Sequence, residues 1–158
     1  MADRSVIHST FVIERHYKVA PEHVFAALSD PAKKRQWFRG DHVTTGPFEM
    51  DFQVGGWERS SFQVTEGPLK GSTVTNASNY QDIVPGRRIV FAYTMSVGSQ
   101  RISASLATFE LLPRANGTDL VFTEQGAFLD GADVPERRNE GWEKLLERLS
   151  KALENSTD

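Results

Sequence analysis

A chain of 158 residues, 39% hydrophobic and 25% charged, with a formal net charge of −3 and no cysteine, is long enough for one domain with its own core. It excludes disulfides, thiolate metal sites and cysteine nucleophiles, and no stretch approaches the ~20 apolar residues of a membrane span. No basic run exceeds Lys33-Lys34-Arg35, which leaves no electrostatic basis for nucleic-acid binding, and the first residues lack the apolar core of a signal peptide. A soluble, cytoplasmic protein is expected.

Residues 11–19 alternate so that Phe11, Ile13, Tyr17 and Val19 share a face, the period of a half-buried strand. Pro21 suits the first turn of a helix, and Val24, Phe25 and Leu28 follow at helical spacing until Ser29-Asp30-Pro31 stops it. Asp30 then caps a second short helix that has Pro31 at its first position and Trp37-Phe38 at its apolar end.

From Gly46 onward the pattern changes to short alternating runs between turn residues, an antiparallel meander. Phe48, Met50 and Phe52 form one face of the first run, and Gly55-Gly56 turns into a second at 57–65. Runs at 73–84, 88–95, 101–112 and 118–125 follow, separated by Pro85-Gly86, by the segment 96–100 and by Asn116-Gly117. With the first strand this makes about seven. Pro135 opens a final helix of about 19 residues, on which Trp142, Leu145, Leu146, Leu149 and Leu153 form one apolar stripe.

A long one-sided helix and a one-sided antiparallel sheet bury those sides against each other, so the class is α+β with the sheet curled around the terminal helix. Such a curl leaves space where the helix does not fill it, and apolar side chains around that space form a ligand pocket. The aromatics are spread over nearly every element; each alone is more readily a core residue, and only the group argues for a cavity.

Four stretches carry a family resemblance: Gly55-Gly56-Trp57-Glu58-Arg59; the run from Tyr80 through Pro85-Gly86 to Phe91; Gly117-Thr118-Asp119-Leu120 leading to Thr123-Glu124-Gln125-Gly126; and Gly141-Trp142 on the terminal helix. In this order they resemble the SRPBCC (START-like) superfamily, in the branch named after the activator of heat-shock protein 90 ATPase, over about residues 10–153 of a single domain. The resemblance implies the helix-grip (START/Bet v-like) fold with a hydrophobic cavity. The chaperone activators behind the name carry an additional co-chaperone domain for which 158 residues leave no room, so their activity is not expected here. Other members bind lipids or polyketides, cyclise or dehydrate aromatic precursors, or sequester small molecules; fold alone does not choose among these.

Glu124 is the foremost polar candidate, because the period of two puts it on one face with Leu120 and Phe122. A carboxylate in an apolar cavity has a raised pKa suited to acid–base work; the alternative is pairing with an arginine or a place at the wet cavity mouth. Glu58 shares a face with Ser60 and Phe62, away from Trp57 and Arg59, unless a bulge at the double glycine reverses this. The two carboxylates are the catalytic candidates, while a salt bridge from Glu58 to Arg101 or Arg15 is the competing reading.

The expected ligand-lining set takes Trp37 from the short helix, Phe48, Met50 and Phe62 from the first two runs, and Tyr80, Phe91 and Tyr93 from the next two. It is completed by Phe122, Glu124 and Phe128, and by Trp142 and Leu146 on the terminal helix. Gly141 is expected to let that helix approach the sheet closely. His8, His16, His23 and His42 have no metal-ligand spacing, no G-x-S-x-G elbow exists, and Gly55-Gly56 lacks the lysine of a phosphate loop. No metal or cofactor is expected. The leading expectation is binding of a small hydrophobic or aromatic molecule. A cyclase, dehydratase or hydrolase using Glu124 and Glu58 is the alternative, and an interaction protein acting on a chaperone the third. Free strand edges leave a homodimer open.

Overall fold

The backbone of the computed structural model, described over residues 4–155, follows the periodicity of the chain. Strand β1 (Val6–Tyr17) leads into helices α1 (Pro21–Ser29) and α2 (Pro31–Trp37). Six more strands follow, β2 (Phe48–Met50), β3 (Trp57–Gln63), β4 (Thr73–Val84), β5 (Arg88–Val97), β6 (Gln100–Arg114) and β7 (Gly117–Leu129), and then helix α3 (Pro135–Glu154). All pairings are antiparallel, in the order β1-β7-β6-β5-β4-β3-β2. This is the helix-grip arrangement.

Several strands run past their expected ends. β1 starts at Val6 because pairing with β7 continues to Leu129, which also takes Gly126 and Phe128 into the strand. Val19 lies beyond the strand, and β2 stops at Met50, where residues 51–56 turn back through bonds among Asp51, Gln53 and Gly56. Register shifts at Tyr80/Asp82 and at Met95/Ser96 mark irregularities in the central strands, and such irregularities bend a sheet and increase its twist.

The concave face and the apolar stripe of α3 share one core. Phe109, Phe122, Leu120 and Ile13 from the sheet meet Trp142, Leu146, Leu149 and Leu153 from the helix. Trp142 stacks on Phe122 at 4.2 Å between centroids and meets Phe109 edge-on at 5.9 Å; burying side chains of this size contributes about 1.5–3 kcal/mol each. Helix α2 is started by Asp30, whose Oδ1 accepts from the Ala32 and Lys33 backbone N–H groups at 2.9 and 3.2 Å. Its last turn is pinned by the Trp37 indole N–H, which donates to the Ala27 carbonyl at 2.9 Å.

Candidate functional site

A pocket of about 300 Å³ lies between α2, the segment 38–47, the concave face of β3–β5 and the first half of α3. Phe38, Val43 and Phe48 line it from one side, and Trp142 and Leu145 from α3. Strand register builds the sheet side. Glu58 stands opposite Ser78, Ser78 opposite Tyr93 and Tyr93 opposite Ser105; in the next inward row, Ser60, Asn76, Met95 and Ser103 follow one another across the same strands. Residues directly opposite share a face, so the sheet side is a largely polar strip facing an aromatic wall.

The segment 38–47 closes against β3 at Gly46. A Cβ there would stand 1.7 Å from the Ser61 carbonyl oxygen, so glycine is required for the backbones to meet.

Of the residues expected at the pocket, Phe48, Glu58, Phe62, Phe91, Tyr93 and Trp142 line it. Trp37, Phe122, Phe128, Glu124 and Leu146 are sealed in the core, and Tyr80 is buried behind Glu58. Met50 packs against the core cluster from the short β2. Gly141 does not serve close helix–sheet contact: it is exposed, lines the pocket, and a Cβ added to it would meet open space.

No bulge intervenes between β3 and β4, so Glu58 faces inward and Trp57 outward. The partner of Glu58 is neither Arg101 nor Arg15 but Lys34. The ammonium of Lys34, a residue only 4% exposed, donates to Glu58 Oε1 at 2.7 Å, and the Tyr80 hydroxyl donates to the same oxygen at 2.5 Å. Lys34 also sits 4.8 Å from the Phe38 ring centroid and 5.9 Å from that of Phe91, contacts that favour a cation. Burial first, then the Glu58 charge, holds the Tyr80 hydroxyl far above the ordinary tyrosine pKa.

Glu124 is fully buried, and its partner is Arg138 of α3 at 3.3 Å. Tyr93 donates to Glu124 Oε1 at 2.6 Å, the Trp142 indole N–H to the same oxygen at 3.0 Å, and Ser105 to Oε2 at 3.1 Å. Arg138 also donates to Asp133 at 3.0 Å, to Ser103 at 2.7 Å and to the Tyr93 oxygen at 2.9 Å. Burial pushes the Glu124 carboxyl up, against the pull of Arg138 and the three hydrogen bonds. With both oxygens taken and no surface on the pocket, Glu124 holds Tyr93, Trp142 and Arg138 in place and touches nothing that enters.

Two site residues lie outside the expected set: Lys34, named above only within a basic run, and Arg138. Each had a signal: Lys34 precedes Trp37 and Phe38 by three and four residues, and Arg138 precedes Trp142 by four, so both stand on the inward stripes of their helices.

Residues 18–154 match the family described as "Activator of Hsp90 ATPase homolog 1-like protein". The chain belongs to this family. Among solved structures of similar form, an uncharacterised protein from Rhizobium leguminosarum is 41% identical, with a TM-score of 0.88 over 98% of this chain and all of that one. A protein from Rhizobium loti is 49% identical, with a TM-score of 0.84 over 94% of this chain and 99% of its own. A Chromobacterium violaceum protein, 25% identical, has a TM-score of 0.75 over 93% and 98% of the two chains. No curated protein matches the chain. For this member of the family, no group of three or more His, Asp or Glu side chains among the described residues could hold a metal, and no described helix is long and apolar enough to cross a membrane.

Proposed function

We propose that this protein binds a small hydrophobic or aromatic molecule in the pocket between sheet and terminal helix. The observation carrying this reading is the pocket itself: about 300 Å³ walled by Phe38, Phe48, Phe62, Phe91 and Trp142, with polar groups from the sheet, from Lys34 on α2 and from Arg138 on α3 set among them, a combination of apolar walls and placed polar groups that suits a small-molecule site. The whole chain acts as one cytoplasmic domain in this reading. Native mass spectrometry of protein purified from its own host tests it: a retained non-covalent mass released on denaturation supports binding, and ligand-free protein that also takes up no aromatic probe opposes it.

An acid–base enzyme is the second reading, favoured by one observation: Glu58 meets the pocket beside Lys34. The expected second carboxylate, Glu124, is sealed, and Asp133, the other carboxylate on the pocket lining, is already paired with Arg138 and Arg137. A reaction of this kind would therefore rest on Glu58 with Lys34 stabilising developing negative charge.

A further inference from the structure

Resting on the proposed pocket, we infer that the Lys34–Glu58 pair is its recognition subsite, and that it selects a neutral hydroxyl on an otherwise apolar ligand. Glu58 is 5% exposed and spends only one oxygen on its partners: Lys34 and Tyr80 both donate to Oε1. Oε2 accepts no hydrogen bond among the described residues, yet it is not among the sealed, unpartnered atoms. Since Glu58 lines the pocket, that free acceptor meets its interior. The Lys34 ammonium has three N–H donors and gives one hydrogen bond to a side chain. An acceptor and a donor thus stand side by side on the wall.

Charge decides what fits them. The pair is neutral as a unit, so a ligand carboxylate would bring a second negative charge against Oε2, and a ligand amine would meet the Lys34 ammonium. A hydroxyl satisfies both groups, accepting from Lys34 and donating to Glu58. Tyr80 fixes the carboxylate from behind as a positioning residue, and the aromatic walls hold the apolar body. Arg35, Arg39 and Arg137 at the exposed margin offer the opposite preference, for an acid, and the experiment separates the two.

The test is calorimetric titration of the full chain at pH 7 with naphthalene, 2-naphthol and 2-naphthoate. The expected result is 2-naphthol about tenfold tighter than either other probe, the effect of hydrogen bonds to charged partners. In the Lys34→Met/Glu58→Gln double variant, which keeps an acceptor for Tyr80 and leaves no buried unpaired charge, the preference should shrink below about threefold while naphthalene binding persists. Circular dichroism and a thermal melt establish that this variant is folded. Equal binding of naphthalene and 2-naphthol to the native protein overturns the inference and leaves the pocket standing. So does a tightest complex with 2-naphthoate, or a folded double variant with undiminished preference. Failure of all three probes to bind overturns the pocket reading and this inference together.

Discussion

Arg138 ties the first turn of α3 to the sheet through Glu124, Asp133, Ser103 and Tyr93. Its removal leaves the sealed Glu124 without a cation and Asp133 with only Arg137, 3.5 Å away, and breaking a buried pair on one side costs about 3–5 kcal/mol. Arg138→Met should therefore lower the urea-unfolding free energy by that amount; a loss under ~1 kcal/mol would contradict the account. The tyrosines give a second residue-level test. All three, Tyr17, Tyr80 and Tyr93, are held by burial above the ordinary value of 10.0. The native state then keeps protons that the unfolded chain releases, so the stability they contribute is complete below pH 10 and falls as pH rises beyond it. Absorbance at 295 nm should show no tyrosine ionising near pH 10 in the folded protein, and all three ionising together as it unfolds. Individual titration near pH 10 would contradict their burial. The chemistry at these positions was only half legible in the sequence. Period alone turned Glu58 and Glu124 inward, but their partners Lys34 and Arg138 come from α2 and α3, and helix rotation against a sheet is set by tertiary packing.

At the scale of elements, the alternating runs and helix signals placed every strand and helix, because local period and turn chemistry dominate there. The ends were less legible: strand length depends on the neighbour, as β7 shows by running on to Leu129 beside Val6. Gly141 illustrates the limit differently. Read as a contact glycine, it faces open space in the first half of α3, so its flexibility is a cost without a packing return. Gly141→Ala should raise stability by about 0.5–1 kcal/mol in chemical denaturation; destabilisation would mean that the helix approaches a neighbour there. Asp30→Ala removes the two side-chain bonds that start α2 and should cost about 1 kcal/mol. A melt shifted by no more than its error would show that Pro31 alone sets that boundary.

Across the whole molecule, the pocket follows from a mismatch between layers. The apolar stripe of α3 from Trp142 to Leu153 is covered by Phe109, Phe122, Leu120 and Ile13, whereas β3–β5 face α2, the segment 38–47 and the Arg138 end of α3 across the pocket. The aromatic supply was visible in the sequence, but the division between lining and core was not: Phe91 and Phe122 share the same alternation, and only the position of Trp142, stacked on Phe122 and facing the pocket, separates them. The most direct measurement of the central claim is a ¹H–¹⁵N correlation spectrum of the labelled protein titrated with naphthalene or 2-naphthol. The account predicts saturable shifts at Phe38, Ser78, Phe91, Gly141 and the Trp142 indole, with the convex-face residues Val12 and Leu112 unmoved. Shifts confined to the convex face, or no shifts at all, would contradict it.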